Sequence, residues 1–227
     1  QTVFQFVDLA DWLSFQVRSD GGIRRRSALA GVAEETDLVV RAARLLQRAT
    51  GVRRGADIHV DKRIPMGAGL GGGSSDAATT LVVLNRLWDC GLSPNELARL
   101  GLQLGADVPI FVHGRAAWAE GVGEQLTDIG LPEPIYLVLV PSVRVDTGKI
   151  FQDPELTRNS HRITIRDFVA GEHANDCLAV VRKRYPEVAQ VFDWLDEKLE
   201  ARLTGTGGCV FAECNDRAQA EAVLRER

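Results

Sequence analysis

Cysteine and histidine are scarce in this sequence. The 227 residues include four cysteines and four histidines, and no two cysteines have the CxxC spacing of a zinc site. The histidines form no HExxH pair, and four cysteines are too few for a disulfide framework in a chain of this length. We therefore predict no disulfide scaffold and no metal ion held by protein side chains alone.

The sequence also has no long apolar run and no excess of positive charge. No stretch reaches the ~18 consecutive apolar residues that a membrane-spanning helix needs, and none resembles a secretory signal. Lys and Arg total 27 against 31 Asp and Glu, a net charge of −4, which is unlike a general nucleic-acid-binding protein. We expect a cytoplasmic globular protein that binds neither nucleic acid nor membrane. Its oligomeric state cannot be read from the sequence.

Arginines cluster in two places. Residues 24–26 are three consecutive arginines, and Arg41, Arg44, Arg48, Arg53 and Arg54 follow. We interpret the first cluster as a solvated loop and the second as the solvated face of a helix.

Hydrophobic periodicity predicts a mixture of strands and helices. The predicted strands are one or two within residues 1–18, then 56–61, 116–119, 136–140, 202–204 and 210–213. The predicted helices run from an N-cap at Asp37 to Gly51, from 75 to 89, from a capping box at 93–96 to 105, from 184 to 200, and from 216 to 226. Residues 19–22 read as a hairpin-type turn.

The most distinctive feature is a glycine-rich stretch at residues 65–73. Five of the 22 glycines lie within residues 67–73, between a predicted strand and a helix that begins at Ser74–Ser75. Glycines allow successive backbone N–H groups to turn toward one point, and a helix N-terminus adds a partial positive charge. The stretch therefore predicts a cradle for an anion such as a diphosphate or triphosphate.

Three other interpretations of this stretch are weaker. A flexible linker is disfavoured because a patterned strand and a patterned helix hold both ends. A Walker A loop requires a lysine, and none lies between Arg63 and Asp76. The spacing of Gly67, Gly69 and Gly72 matches GxGxxG, but the acidic residue expected ~20 residues later would fall between two predicted helices.

Residues 65–78 (PMGAGLGGGSSDAA) resemble the ATP-binding loop of the galactokinase, homoserine kinase, mevalonate kinase and phosphomevalonate kinase superfamily. Residues 203–213 (LTGTGGCVFAE) are similar to its C-terminal glycine motif. Residues 104–111 (LGADVPIF), 119–124 (AEGVGE) and 151–159 (FQDPELTRN) resemble the branch that phosphorylates a cytidine diphosphate sugar alcohol. The resemblance extends over essentially the whole chain.

This resemblance implies an α+β, two-lobed small-molecule kinase fold. The N-terminal, ATP-binding lobe would be like ribosomal protein S5 domain 2 and span residues 1–134, and a ferredoxin-like C-terminal substrate lobe would span 135–227. Pro132 and Pro134 mark the boundary. The resemblance also implies ATP and Mg²⁺ as cofactors and phosphorylation of a 2-hydroxyl of the sugar alcohol during isoprenoid precursor biosynthesis.

The resemblance assigns roles to individual residues. Asp107 matches the catalytic aspartate and would also contact the substrate, although a helix N-cap is the alternative from the residues alone. Phe151 matches a residue that stacks on the cytosine ring of the substrate. Lys62, with Asp37 and Leu38, matches positions that line the adenine pocket, although the family usually has Asn where Asp37 stands.

The ATP-binding loop would wrap the phosphates, and Ser74 and Ser75 would place hydroxyls on phosphate oxygens or near magnesium, or only cap the helix. Its predicted residues are Pro65, Met66, Gly67, Ala68, Gly69, Leu70, Gly71, Gly72, Gly73, Ser74 and Ser75.

The resemblance also has a gap. The superfamily's first motif, a strand with a catalytic lysine, would precede Gln1, and none of the lysines at 62, 149, 183 and 198 replaces it. Both ends of the chain look cut, so we expect a fragment of a longer polypeptide. Three alternatives stay open: another small-alcohol kinase of the superfamily, an ATP-dependent decarboxylase, or an ATP-binding sensor without catalysis.

Overall fold

A computed structural model describes residues 1–171 and 173–226. It contains α-helices and three separate three-stranded β-sheets. Within the described part of the chain, no helix is both long enough and apolar enough to cross a membrane.

The chain divides into two compact units, each with its own hydrophobic core. The first unit comprises Gln1–Ile64 and Gly71–Leu131. The second comprises Pro65–Leu70 and the chain from Pro132 onward. The glycine-rich stretch therefore begins in the second unit and ends in the first.

The strands of the first unit form two sheets, ordered β2-β4-β3 and β1-β5-β6. These strands are β1 (Thr2–Phe4), β2 (Trp12–Arg18), β3 (Ile23–Arg25), β4 (Gly55–Asp61), β5 (Ala117–Glu120) and β6 (Gln125–Asp128). The helices of this unit are α1 (Leu38–Thr50), α2 (Gly72–Leu87), α3 (Pro94–Leu102) and α4 (Val108–His113), and a short 3₁₀ turn (Glu34–Thr36) precedes α1.

The central strand β4 has the alternation that its sequence predicts. Ala56, Ile58 and Val60 are at most 3% exposed, whereas His59 faces solvent. Their side chains join those of α1 and α2 in the core of the first unit. Successive strand residues point to opposite faces, so one face of β4 is buried and the other is polar.

The predicted hairpin-type turn at residues 19–22 is wrong. β2 and β3 do not pair, because β4 lies between them, antiparallel to β2 and parallel to β3. Asp20 accepts a hydrogen bond from the Gly22 amide at 3.0 Å, and the Ala56 amide donates to the Gly22 carbonyl at 3.0 Å. These bonds hold the connection against β4 and place β3 on its far side.

Helix α1 begins and ends where the sequence predicts. The Asp37 side chain accepts a hydrogen bond from the Val39 amide at 2.9 Å, and Gly51 ends the helix with φ +70°. Asp37 also pairs with Arg25 at 2.5 Å, and both side chains are only 7% exposed. The interpretation of residues 24–26 as a solvated loop is therefore wrong, because Arg25 lies in β3 and is buried in an ion pair.

The second unit contains one antiparallel sheet, ordered β7-β9-β8. Its strands are β7 (Ile135–Leu139), β8 (Arg202–Leu203) and β9 (Val210–Cys214), which confirms the predicted strands in this half. Its helices are α5 (Thr147–Gln152), α6 (Ile165–Val169), α7 (Leu178–Arg184), α8 (Pro186–Asp196) and α9 (Arg217–Arg225).

The helix predicted over residues 184–200 is confirmed as α8, with shorter ends, but the sequence did not predict α7 immediately before it. Tyr185 separates α7 from α8, and α8 begins two residues after the predicted start. Pro186 has no backbone N–H and disfavours helical geometry in the residue before it, and Tyr185 accordingly has φ −129° and ψ 83°.

Candidate active site

The glycine-rich stretch ends by capping α2. The predicted start of this helix at Ser74–Ser75 is wrong: the helix begins at Gly72, and Gly71 is its N-cap. The Ser75 amide donates to the Gly71 carbonyl at 2.8 Å, which closes the first helical turn. The amides of Gly72, Gly73 and Ser74 therefore precede the helical hydrogen-bond ladder and are available to an anion.

The start of α2 at Gly72 changes the possible roles of the two serines. Ser74 and Ser75 lie inside the first turn of α2, and neither side chain caps the helix. Within the described part of the chain, neither hydroxyl has a hydrogen-bond partner. Both hydroxyls are half-buried and free to contact a ligand.

Gly71 is required by both its conformation and its surroundings. Its φ is +69°, and a Cβ placed on it would lie 2.6 Å from the ring of Phe111. Phe111 belongs to α4, the helix that follows Asp107. The absence of a side chain at Gly71 thus lets the end of the glycine-rich stretch pack directly against the helix beside the predicted catalytic residue.

Asp107 precedes α4 but does not cap it. It occupies the N-cap position with a helical backbone, φ −86°, and its side chain makes no capping hydrogen bond. Among residues 1–171 and 173–226, no group forms a hydrogen bond or ion pair with its carboxylate. The residue is exposed to solvent as a whole, yet surrounding protein atoms desolvate the carboxyl group and raise its pKa.

The segment before Asp107 lies close to the first turn of α2. A Cβ placed on Gly105 would be 3.9 Å from the Ser74 hydroxyl oxygen. On another side, a Cβ on Gly123 would lie 3.1 Å from the Ala106 carbonyl, so the turn between β5 and β6 packs against this segment. The motifs at 65–78, 104–111 and 119–124, far apart in sequence, thus contribute neighbouring residues.

Lys62 is held in a buried cluster of charges. Its ammonium group pairs with Asp76 of α2 at 2.9 Å and also with Asp11. Asp11 additionally accepts hydrogen bonds from the Arg63 and Ile64 amides at 2.6 and 2.8 Å. The three side chains are at most 14% exposed. They tie the end of β4 to α2, on either side of the glycine-rich stretch.

Burial and charge act in opposite directions on these groups. Burial raises the pKa of Asp76 to about 6, although the bond from Lys62 opposes the shift. Burial also disfavours the charged form of Asp11, but its bonds from Lys62, Ile64 and Arg63 together outweigh burial and lower its pKa. Burial similarly disfavours the charged form of Lys62, yet the two carboxylates raise its pKa.

The first half of the glycine-rich stretch packs against the C-terminal glycine motif of the second unit. Gly69 has φ +72°, and a Cβ on it would lie 2.4 Å from the Gly207 carbonyl oxygen. A Cβ on Gly208 would lie 2.7 Å from the Ala68 backbone. The two glycine motifs therefore contact each other through their backbones. A residue with a side chain in place of Gly69 would prevent this contact.

Arg144 lies over this half of the stretch. Its Nε is 3.1 Å from the position of a Cβ on Gly67, and both residues line a cavity of about 80 Å³ with Met66 and Gly208. The part of the chain that the structure describes offers the Arg144 guanidinium no ion pair or hydrogen bond. The sequence did not predict Arg144, because it lies outside every motif quoted above and no local pattern marks it.

Phe151 is an exposed aromatic residue on α5, with 56% of its surface accessible. Phe151 is therefore not part of the hydrophobic core. At the start of α5, the Thr147 hydroxyl contacts the Thr206 hydroxyl at 2.8 Å, which ties this helix to the C-terminal glycine motif. Within the second unit, Arg144 and residues 65–70 lie against the C-terminal glycine motif, and Phe151 lies one turn along α5 from the Thr147 contact with it.

Comparison with known proteins places the chain in a kinase family. The model of the N-terminal domain of GHMP kinases matches residues 37–115, and the model of their C-terminal domain matches residues 156–227. The chain also resembles the crystal structure of Methanococcus jannaschii mevalonate kinase with a TM-score of 0.70 over 96% of this chain and 85% of that one, at 15% identity. The chain belongs to the GHMP kinases, and the predicted α+β kinase fold is confirmed.

More similar relatives define the branch. The 4-diphosphocytidyl-2-C-methyl-D-erythritol kinase of Nitrosococcus oceani is 56% identical over 99% of this chain and 80% of its own length. That of Methylococcus capsulatus is 56% identical over 98% of this chain and 77% of its own length. A crystal structure of a 4-(cytidine 5'-diphospho)-2C-methyl-D-erythritol kinase matches with a TM-score of 0.78 and 32% identity, over 96% of this chain and 82% of that one. Within the GHMP kinases, the chain belongs to this family of 4-diphosphocytidyl-2-C-methyl-D-erythritol kinases.

Proposed function

We propose that this protein transfers the γ-phosphoryl group of ATP to the 2-hydroxyl of 4-diphosphocytidyl-2-C-methyl-D-erythritol. The observation that carries the proposal is the unpartnered carboxylate of Asp107, which lies at the start of α4 and in the segment beside the first turn of α2. A phosphoryl-transfer enzyme needs a phosphate-binding element and a group that orients the attacking hydroxyl. The first unit supplies the first turn of α2 and Asp107, and the second unit supplies residues 65–70 of the glycine-rich stretch.

The phosphate-binding element is the stretch Pro65–Ser75. The free amides of the first turn of α2 and the partial positive charge of the helix N-terminus favour a bound phosphate. Arg144 adds a full positive charge beside Gly67. The cluster of Lys62, Asp11 and Asp76 supports this element by fixing the chain on both sides of it.

Magnesium fits this arrangement as an ion that arrives with ATP. In the described residues, no group of three or more His, Cys, Asp or Glu side chains is arranged to hold a metal ion. Mg²⁺ bound to substrate phosphates commonly takes only one or two protein ligands. The free hydroxyls of Ser74 and Ser75 are suited to hold the ion or a phosphate oxygen. When bound, the ion neutralises charge on the phosphates.

Asp107 acts as the general base in this proposal. The 2-hydroxyl oxygen attacks the γ-phosphorus, the bond from that phosphorus to the β,γ-bridging oxygen breaks, and ADP leaves. The hydroxyl proton passes to Asp107. Desolvation suits the carboxylate to this role, because a raised pKa makes it a stronger proton acceptor.

Two further residues complete the proposed substrate contacts. Phe151 exposes an aromatic face on α5, which suits stacking on the cytosine ring of the substrate. Lys62 lies with its Nζ 3.2 Å from a Cβ placed on Gly72, at the end of the phosphate-binding stretch. We propose that it contacts the adenine side of ATP while it remains paired with Asp76.

The proposed function is tested by coupled measurement of ADP release with four alcohols. We expect turnover with 4-diphosphocytidyl-2-C-methyl-D-erythritol and none above background with mevalonate, homoserine or galactose. A reaction without any alcohol measures the background ATPase. Comparable turnover of mevalonate, homoserine or galactose would contradict the assignment. Binding of an ATP analogue without ADP release in the presence of any of the four alcohols would contradict it too.

A further inference from the structure

A cavity of about 260 Å³ opens on the first unit beside α1. It is lined by Arg41, Arg44, Leu45, Arg48, Gln103 and Leu104. Four of these residues lie on one face of α1, at the spacing i, i+3, i+4 and i+7, and the other two follow α3. No lining residue belongs to the phosphate-binding stretch, to the Lys62 cluster or to Asp107 and its neighbours on α4.

Three positively charged side chains line this one cavity. Within the described part of the chain, none of their guanidinium groups forms an ion pair or hydrogen bond. Helix α1 contains no Asp or Glu, and its acidic N-cap, Asp37, is paired with Arg25 instead. Like charges at i, i+3 and i, i+4 destabilise a helix, and Arg41 lies near its positive N-terminal end, although Arg48 is favourably placed in the last turn.

The spacing of the arginines along α1 indicates the class of ligand. Arg41 and Arg48 are seven residues apart, roughly 10 Å along the helix axis, with Arg44 between them. Guanidinium groups bind phosphate oxygens bidentately, and three of them in a row suit a chain of phosphates rather than a single anion. Leu45 and Leu104 add apolar side chains to the lining of the cavity.

We propose that this cavity is a binding site for a compact oligophosphate, either free or as the phosphate chain of a nucleotide. The interpretation of Arg41, Arg44 and Arg48 as a merely solvated helix face is the competing account. The two accounts differ in whether the three arginines have affinity for a particular anion. A binding site keeps these charges together at a cost to the helix, whereas a solvated face has no affinity for a particular anion.

The test is isothermal titration of the protein with inorganic tripolyphosphate at low ionic strength. The variant Arg44→Gln/Arg48→Gln removes two of the cationic groups and keeps helix propensity, since Gln and Arg are similar helix formers. Arg53→Gln/Arg86→Gln is the matched control, because both arginines are exposed on the same unit and lie outside the cavity. Any binding at the glycine-rich stretch is common to all three proteins.

We expect the first variant to bind tripolyphosphate at least about tenfold more weakly than the wild type, the loss expected for one charge-assisted contact. It should keep the wild-type melting temperature, or exceed it, because like-charge repulsion is relieved. It should also keep wild-type kinase turnover, so this outcome does not depend on the proposed reaction. The control should bind as the wild type does.

Titration with uridine triphosphate distinguishes the two sources of the phosphate chain. A loss confined to tripolyphosphate assigns the site to a free oligophosphate, and an equal loss with the nucleotide assigns it to a nucleotide. Equal affinities of the wild type and the Arg44→Gln/Arg48→Gln variant for both probes would overturn the proposal. An equal loss of affinity in the control would overturn it too, because net charge alone would then explain the binding.

Discussion

Asp76 shows how a single buried charge depends on its partners. It is 5% exposed in the first turns of α2, and its one counter-charge, Lys62, is shared with Asp11. Burial disfavours its ionised form and raises its pKa to about 6. The folded protein therefore binds a proton at Asp76 more tightly than the unfolded chain does, and protein stability must depend on pH through this residue.

The predicted effect of Asp76 has a definite sign. Between pH ~4 and ~6 the folded state holds more protons at this site, so the free energy of unfolding falls as pH rises. A shift of about two pKa units corresponds to a change on the order of 3 kcal/mol between pH 4 and pH 7. Urea unfolding at several pH values should show that Asp76→Asn removes this fall. Asp61→Asn, an exposed control, should retain it; parallel pH profiles for the wild type and Asp76→Asn would contradict the account.

Site residues within a local sequence motif were easier to predict than site residues whose partners are distant in the sequence. Asp107 was identified by the motif around it, and its lack of a capping bond distinguishes it from an ordinary helix cap. Asp11 lies 51 residues from Lys62, and the two meet only because β2 and β4 are antiparallel neighbours. Such a pairing depends on strand order, which local patterns of hydrophobicity do not specify.

At the scale of elements, boundaries were predicted well where capping residues mark them. Asp37 and Gly51 bound α1, and Ser93 and Glu96 form the capping box that opens α3. The start of α2 was misplaced because Gly72 and Gly73 are poor helix formers, and the helix is held instead by Gly71 and by packing on α4. The short helix α7 was not predicted, whereas α8 was predicted with its start within two residues of Pro186.

The N-terminus of α2 yields a prediction on stability. Gly71→Ala should lower the free energy of unfolding by at least ~1–2 kcal/mol, because alanine disfavours positive φ and its Cβ would displace the Phe111 ring. Gly73→Ala is the matched control, two residues later in the first turn of α2. The φ of Gly73 is not in the left-handed region, and a Cβ there would meet only Leu38, at 3.3 Å. We expect a change of less than ~1 kcal/mol there. Urea unfolding measures both, and equal losses would contradict the assigned role of Gly71.

At the scale of the whole molecule, the net charge has the same sign as the proposed substrates. The chain carries a net charge of −4, and both ATP and a cytidine diphosphate compound are anions. Long-range attraction therefore does not bring them to the protein, and binding depends on local groups. The first turn of α2 and Arg144 provide such groups within their respective units.

The division into two units also limits what the sequence alone could establish. Pro65–Leu70 packs with the second unit, and Gly71 onward packs with the first, although the sequence presents them as one continuous motif. The motif alone predicted phosphate binding. It did not predict that the two halves rest on separate cores, because that depends on contacts with residues 203–208 and with Phe111.

The most direct test of the whole account is the turnover of Asp107→Asn with ATP and 4-diphosphocytidyl-2-C-methyl-D-erythritol. Asparagine keeps the size of the side chain but cannot accept the proton, so kcat should fall by ~10²–10⁴-fold. Affinity for a non-hydrolysable ATP analogue and the free energy of unfolding should stay close to wild type, since Asp107 makes no capping bond that could be lost. A variant that keeps more than about half of the wild-type kcat would contradict the assignment of Asp107 as the general base.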